Sequence, residues 1–279
     1  MTPEERESKS VKAQERELWL ENRRIGIGGS DIAVLLGLNP WKTEEELLLD
    51  KLNLIPKKDQ FQGNAATKAG ERLEPLVAQW WGERTENEVI PGTKIVHKDN
   101  PRFMGTTDFT FKGGPDSRFD QGILEIKTGA EKTYASGLPS YYDAQVRWYL
   151  MVSDSDFGVL SALIVPKDRK EIPFHLSPED LYQWVQYRPT REFELTRNLE
   201  WEEKAQAVAL RFLARLDSMK QASRPTLDSP STSQRFDFGS ALPSWTDTHP
   251  ESQLFASPGN AGLIEPLPLP TPQPVTYPQ

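Results

Sequence analysis

The sequence predicts an α/β fold followed by a disordered tail, and two observations carry this prediction. Between about residues 93 and 176 apolar and polar residues alternate with the period of β-strands, whereas the flanking segments follow the helical period. After about residue 223 the composition changes, because the last 56 residues hold 11 of the 23 prolines and no lysine. We therefore expect one domain over residues 1–223 and a disordered tail over residues 224–279.

Composition narrows the class of protein. A chain of 279 residues can bury a substantial core, and the absence of cysteine excludes disulfides, thiol nucleophiles and cysteine-ligated metals. No apolar run approaches the roughly 18 residues of a membrane span, so we expect no membrane association and a cytoplasmic location. The net charge of −8 argues against a general electrostatic attraction to DNA, so any contact with DNA must be local.

Three helices are predicted before the strands. Ser30 precedes apolar residues at helical spacing and is interpreted as the N-cap of a short helix. Thr43 and Glu46 form a predicted capping box, which indicates a helix over about 44–52. A third helix contains Pro75, which must lie in the first turn or kink the helix. Its apolar face consists of Leu73, Leu76, Val77, Trp80 and Trp81.

The central region is predicted to form strands, with a helix near 140–152 between the third and the fourth. The predicted strands cover residues 94–97, 102–112, 122–128, 157–165 and 170–176. Helices are expected again from Pro178 to about residue 220, with a break near Arg188.

The strand over 122–128 carries the most informative residues. Strand alternation places Glu125 and Lys127 on one face and Leu124 and Ile126 on the other. Taken alone, such a pair can be a salt bridge that faces solvent. Asp108 lies on the preceding strand, however, and a hairpin through the intervening glycines would bring it beside Glu125.

The chemistry of these three residues suggests a metal-dependent reaction. Two neighbouring carboxylates repel each other unless a cation or a proton lies between them, and hard oxygen ligands select Mg²⁺ or Mn²⁺. The Lys127 ammonium could hold a water molecule and balance the charge that develops on a phosphate. The alternative is that Asp108 is merely a strand residue near a turn.

The spacing from Asp108 to Glu125 and Lys127 resembles the PD-(D/E)xK nuclease core, with Thr107 where the motif has proline. The surrounding sequence resembles the branch formed by lambda exonuclease and the YqaJ-like viral recombinases. Four further segments within residues 18–200 agree in order, namely 24–33, 38–43, 70–75 and 143–150. The resemblance implies a restriction-endonuclease-like core, in which helices flank a mixed central β-sheet.

The resemblance also implies roles for individual residues. Asp108 and Glu125 would be metal ligands, Glu74 a further acid near a second ion, Lys127 the neighbour of the attacking water, and Gln145 a residue that fixes the lysine or the water. Two Mg²⁺ or Mn²⁺ ions are expected per active site. Without the resemblance, Glu74 could be a carboxylate in the first turn of a helix, and Gln145 a buried, hydrogen-bonded amide.

The glycine-rich segment 26–30 lacks the spacing of a P-loop or of a dinucleotide fingerprint. A glycine turn that leads into a helix can bind an anion. Arg24, with Arg23 as the alternative, could clamp the 5′-phosphate of a DNA end, and the resemblance places Arg24 and Ser30 at such a site. The plain interpretation is a surface arginine and an ordinary helix cap.

Taken together, the sequence predicts a Mg²⁺-dependent deoxyribonuclease, specifically a 5′-to-3′ exonuclease on double-stranded ends. The resemblance implies that the 3′ overhang is passed to a single-strand annealing protein during phage-type recombination, and that the enzyme is a homotrimer. The alternatives are an endonuclease or DNA-repair nuclease with the same core, and a DNA-binding module that no longer cleaves.

Overall fold

A computed structural model describes residues 21, 23–56, 63–114 and 120–222. The predicted tail over 224–279 lies outside these residues. The described part forms a central β-sheet with helices on both faces, which confirms the predicted α/β class and mixed sheet. Within these ranges, none of the helices has the length and apolar character needed to cross a lipid bilayer.

The described strands are β1 (Glu88–Pro91), β2 (Lys94–Val96), β3 (Met104–Thr106), β4 (Phe109–Lys112), β5 (Gln121–Gly129), β6 (Phe157–Ile164) and β7 (Thr190–Thr196). The main sheet has five strands in the order β1-β4-β5-β6-β7, and a smaller sheet pairs β2 with β3. Strands β5 and β6 are parallel, whereas the other neighbours in the main sheet are antiparallel.

Six helices longer than one turn are described: α1 (Gly29–Leu35), α2 (Glu44–Lys51), α3 (Ala65–Thr85), α4 (Ser140–Ser153), α5 (Pro178–Gln186) and α6 (Leu199–Ala222). Helix α4 is the crossover that the parallel strands β5 and β6 require. Its position confirms the helix predicted near 140–152. The capping box before α2 is also present, since Thr43 Oγ1 accepts from the Glu46 amide at 3.2 Å and Glu46 Oε2 accepts from the Thr43 amide at 2.8 Å.

The two faces of the sheet build two hydrophobic clusters. Alternation along β5 sends Ile123 into one cluster and Leu124 and Ile126 into the other. The Ile123 cluster includes buried residues of α1, α4 and α6, whereas the other includes residues of α3 and α5. Strand β5 therefore lies between both cores, which fixes the backbone that carries Glu125 and Lys127.

Two strand predictions are wrong. The segment 102–112 is not one strand, because it is interrupted at Thr107 and Asp108, and its halves β3 and β4 belong to different sheets. The segment 170–176 forms a 3₁₀ turn at Arg169–Glu171 and tight backbone turns instead of a strand. Pro173 lacks the amide that a sheet needs, and the alternating pattern reflects the burial of Ile172 and the partial burial of Phe174.

Two edge strands were not predicted, and the structure selects between the two positions predicted for Pro75. Residues 190–196, expected to be helical, form β7, which buries Phe193 and Leu195 on one face. The short strand β1 was not predicted. Helix α3 begins at Ala65, so Pro75 lies near its middle and not in its first turn.

Candidate active site

Strand β5 presents an acid and an amine to each other, as its alternation predicts. Lys127 Nζ donates a hydrogen bond to Glu125 Oε1 at 2.6 Å. The Glu125 residue is only 1% exposed, so this carboxylate is removed from bulk water. A buried ion pair of this kind needs further polar partners, and its neighbours supply them.

Asp108 lies in the break between β3 and β4, directly before the strand that pairs with β5. Its Oδ2 atom accepts a hydrogen bond from the Ile126 amide at 3.0 Å and lies 3.8 Å from Lys127 Nζ. The β4–β5 pairing, in which Phe109 faces Leu124, thus brings Asp108 to the Glu125 and Lys127 pair. The predicted proximity of the three side chains is present in the structure.

Gln145 reaches the same carboxylate from α4. Its Nε2 atom donates to Glu125 Oε1 at 2.6 Å and to the Tyr149 hydroxyl at 3.0 Å. Glu125 Oε1 therefore receives two donors, whereas the buried Oε2 atom has no hydrogen-bond partner among the residues that the structure describes. A buried carboxylate oxygen without a partner is costly, which indicates that a cation, a proton or water completes this site.

Glu74 lies on α3 above the C-terminal half of β5. A Cβ atom built on Gly70 would lie 3.4 Å from Glu74 Oε1 and 3.8 Å from Thr128 Oγ1, so the carboxylate and the strand are close neighbours. Partial burial raises the pKa of Glu74, and the charge of Asp108 raises it further. Glu74 therefore belongs to the same electrostatic cluster as the residues on β5.

The cluster contains more acids than bases. Burial, with the charge of Asp108 added to it, raises the pKa of Glu125 to about 8. Burial alone would lower the pKa of Lys127, but the charges of Glu125 and Asp108 outweigh it and hold that pKa above its ordinary range. One ammonium thus faces three carboxylates, Glu74, Asp108 and Glu125, which favours the binding of an additional positive charge.

The donor set fits a hard divalent cation. Among the described residues, no group of three or more His, Cys, Asp or Glu side chains is already arranged as a metal site. The oxygens of Asp108 and Glu125, including the unpartnered Oε2 atom, are nevertheless of the type that Mg²⁺ and Mn²⁺ bind, and such ions retain several waters. Two or three carboxylates with water can therefore complete the coordination.

The glycine turn before α1 is held by a buried ion pair. Lys51 Nζ donates to Asp31 Oδ2 at 2.6 Å and to the carbonyls of Gly26 at 2.6 Å and Arg23 at 2.7 Å. Asp31 Oδ2 also accepts from the Gly28 amide at 2.9 Å. These bonds fix the path of the backbone from Arg23 into α1.

The N-cap predicted at Ser30 is wrong. Gly28 is the N-cap residue of α1. Its backbone is extended, its amide donates a hydrogen bond to the Asp31 carboxylate, and the helix begins at the next residue, Gly29. Ser30 is exposed in the first turn of α1, where its hydroxyl is not needed for capping.

A cavity lies beside this turn, lined by Arg23, Gly28, Gly29, Ser30, Asp31, Lys94, Met104, Gly105, Thr106 and Tyr149. Arg23 lines this cavity, whereas Arg24 does not, and the Arg24 carbonyl faces Lys220 Nζ at 3.4 Å. A Cβ atom on Gly29 or Gly105 would come within 2.5 Å of the Tyr149 ring, so both glycines allow this ring to pack closely. Through its bond with Gln145, Tyr149 joins the cavity to the Glu125 cluster.

Residues 18–156 match the family profile of the YqaJ-like viral recombinase domain. The chain belongs to this family. The match includes Asp108, Glu125, Lys127, Glu74 and Gln145, which are the residues that the structure gathers into one cluster.

Two curated proteins are similar to part of the chain. The YqaJ-like chain is 34% identical over 147 residues to the uncharacterized protein YqaJ of Bacillus subtilis, over 51% of this chain and 44% of that protein. It is 26% identical over 159 residues to protein D345L of African swine fever virus, over 50% of this chain and 46% of that protein. The chain thus spans less than half the length of these curated relatives.

A solved structure supports the fold. The alkaline exonuclease LHK-Exo from Laribacter hongkongensis superimposes with a TM-score of 0.53 at 18% identity, over 74% of this chain and 95% of that one. The YqaJ-like domain therefore shares the fold of an exonuclease, as the sequence analysis expected.

One residue beside the cluster was not predicted from the sequence. Tyr149 lies four residues after Gln145 on α4, and this spacing places both side chains on one helix face. Of the two arginines considered for a phosphate clamp, Arg23 lines the cavity, and the role of either stays a prediction.

Proposed function

We propose that this YqaJ-like protein is a divalent-metal-dependent deoxyribonuclease that degrades double-stranded DNA ends from 5′ to 3′. The observation that carries the proposal is the convergence of Asp108, Glu125, Lys127 and Gln145 in one buried cluster beside a cavity that contains Arg23. Acids, an amine and an amide in this arrangement match the requirements of phosphodiester hydrolysis.

Each residue of the cluster would have a separate role in hydrolysis. Asp108 and Glu125 would hold Mg²⁺ or Mn²⁺, and Glu74 would contribute to a second ion. When bound, the metal supplies Lewis-acid activation of the scissile phosphate and of water. The Lys127 ammonium would orient the attacking water and balance charge on the phosphate, and Gln145 would keep Glu125 in place through its bond to Oε1.

The cavity beside α1 would hold the 5′-phosphate of the DNA end. The sequence analysis assigned this role to Arg24 and Ser30, and the cavity lining supports Arg23 and Ser30 instead. A guanidinium and a hydroxyl give a dianionic phosphate charge-assisted hydrogen bonds that a 5′-hydroxyl end cannot make. Lys94 on β2 would add positive charge to the same cavity.

Two assays test the reaction class. End-labelled linear duplex DNA should be degraded in Mg²⁺ and remain intact in EDTA, and Glu125→Ala should abolish the degradation. Covalently closed circular duplex should remain intact under the same conditions. Cleavage of circles would indicate the alternative endonuclease, and absence of all cleavage with retained DNA binding would indicate the non-cleaving module.

The anchor is tested by comparing 5′-phosphorylated with 5′-hydroxyl ends. We expect Arg23→Ala to abolish the preference for phosphate with about a ten- to hundred-fold loss in end engagement, because hydrogen bonds to charged groups contribute roughly 1.5–3 kcal/mol each. Arg24→Ala is the matched control and should retain the preference. The opposite result would return the assignment to Arg24.

The proposal extends to the biological context that the family resemblance implies. A 5′-to-3′ exonuclease leaves a 3′ overhang, which a single-strand annealing protein could bind during recombination in the host cytoplasm. A homotrimer would be the working assembly, and light scattering coupled to size exclusion measures it directly.

A further inference from the structure

Trp41 is an exposed tryptophan on a fixed loop. It lies between α1 and α2 and is 70% exposed. The Asn39 side chain holds this loop, since its Oδ1 atom accepts from the amides of Trp41 at 2.8 Å and Lys42 at 3.0 Å. A large apolar ring held in water by its own loop suggests that the ring is presented to a ligand.

Trp41 begins a series of ring contacts that leads to the active site. Its ring meets that of Tyr141 at 4.9 Å, Tyr141 meets Tyr142 at 4.4 Å, and the Tyr142 ring lies 5.5 Å from Lys127 Nζ. We call Trp41, Tyr141 and Tyr142 the aromatic path. It places Trp41 within about 15 Å of Lys127. At ~3.4 Å per nucleotide along a stacked strand, this is within about four nucleotides of a phosphate at the lysine.

The aromatic path suits a nucleobase better than a protein partner. The residues that follow Trp41 are Lys42 and Thr43, so the exposed ring is not part of a larger run of apolar side chains. Burial raises the pKa of Tyr141 to about 12, with the neighbouring Tyr142 adding to the shift, and the pKa of Tyr142 is also raised. Like ordinary tyrosines, both phenols are neutral at physiological pH, so neither side chain repels the phosphates of a DNA strand.

We propose that Trp41 stacks on an unpaired base of the DNA substrate within about four nucleotides of the phosphate held at Lys127, with the Tyr141 ring holding it through an edge-to-face contact. The inference rests on the proposed nuclease function and adds a contact to the substrate beyond the metal cluster and the end cavity. Every base offers a π-face, so the contact would be insensitive to sequence.

The test is a coupling experiment between the ring and the base. Binding of 5′-phosphorylated DNA with short unpaired ends is measured by fluorescence anisotropy in EDTA, so that no cleavage occurs. An abasic residue is placed at each of the four terminal positions of either strand in turn. We expect one abasic position and Trp41→Ala each to weaken binding about 5- to 150-fold, and their combination to weaken it no further.

Two variants serve as controls. Trp41→Phe should retain most of the affinity, because it keeps a ring at this position. Tyr187→Ala removes an aromatic side chain that is 74% exposed at the end of α5, and it should leave binding unchanged. Circular dichroism and thermal melting verify that each variant is folded.

Several results would overturn the inference. Additive losses at every abasic position would show that Trp41 does not touch a base, and a wild-type protein that binds no DNA would remove the basis of the proposal. A changed subunit number for Trp41→Ala with unchanged DNA binding would assign the ring to contacts between copies. Coupled binding without cleavage in Mg²⁺ would refute the nuclease function and leave the stacking contact standing.

Discussion

Replacement of Lys51 by Met tests whether the buried ion pair holds the glycine turn. The Lys51 side chain is 4% exposed, and its ammonium is bonded to the Asp31 carboxylate and to two backbone carbonyls. Methionine fills a similar volume but cannot make these bonds, which leaves the buried Asp31 carboxylate with only the more distant Arg23 guanidinium, at 3.8 Å, as a cationic neighbour. Breaking one partner of a buried pair costs about 3–5 kcal/mol.

The expected loss is large enough to measure directly. For a domain of about 200 residues, each kcal/mol changes Tm by roughly 2–4 °C, so Lys51→Met should lower Tm by about 6–20 °C. Urea unfolding at pH 7 gives the free energy. Lys42→Met is the matched control, because Lys42 Nζ also lies 2.6 Å from an acid, Asp50, but its side chain is 30% exposed. That exposed pair should contribute at most about 1 kcal/mol.

The loss of stability in Lys51→Met should depend on pH, and the pKa of Asp31 sets the direction. Burial alone would raise the pKa of Asp31, but the charges of Lys51 and Arg23 outweigh it and hold that pKa below its ordinary 3.8. In the wild type, the stability contributed by Asp31 is present above pH 3.8 and is lost as pH falls through its folded pKa. Without Lys51, burial should raise that pKa, and the variant should become less stable as pH rises from about 4 to 7.

The stability gap between wild type and Lys51→Met should therefore be narrow near pH 4 and wide near pH 7. A loss below about 1 kcal/mol at pH 7, or a gap that does not change with pH, would refute the reasoning. The double variant with Asp31→Asn should lose less than the sum of the single losses, because it removes the buried carboxylate together with the lysine that neutralises it.

Three further predictions concern the site and the domain boundary. Asp108→Ala and Glu125→Ala should weaken Mn²⁺ binding in calorimetry and lower cleavage by orders of magnitude, whereas Lys127→Ala should lower cleavage and leave metal binding intact. A chain ending at residue 223 should still unfold cooperatively and cleave DNA. Gly29→Ala should lower cleavage of linear duplex, because the added methyl displaces the Tyr149 ring. Unchanged activity in any site variant, or loss of cooperative melting in the shortened chain, would contradict these expectations.

The parts of the fold that depend on local pattern could be predicted. The alternation over β5 was sufficient to place Glu125 and Lys127 together, because neighbouring strand residues face opposite sides whatever the tertiary context. The capping box before α2 could be predicted for the same reason, because it depends only on residues three positions apart in the sequence. Predicting the position of Asp108 required one further step, because β4 and β5, joined by a short glycine-containing connection, had to pair with each other.

The parts that failed depend on tertiary context. Strand β7 contains glutamate and leucine, which favour helices, but pairing with β6 and the burial of Phe193 make it a strand. The division of 102–112 between two sheets depends on where β1 and β2 lie, which no local pattern encodes. The contact between Trp41 and Tyr141 joins residues about 100 positions apart and could be seen only in three dimensions.

The shared position of Tyr149 limits how the protein can be re-engineered. Its ring forms a wall of the cavity beside Gly29 and Gly105, and its hydroxyl bonds the amide of Gln145 that supports Glu125. Enlarging the cavity would require this ring to move, which would also disturb the hydrogen bonds that support Glu125. Under the proposed function, end preference and turnover could then not be changed independently, and libraries that vary the cavity should vary Gln145 in the same clones.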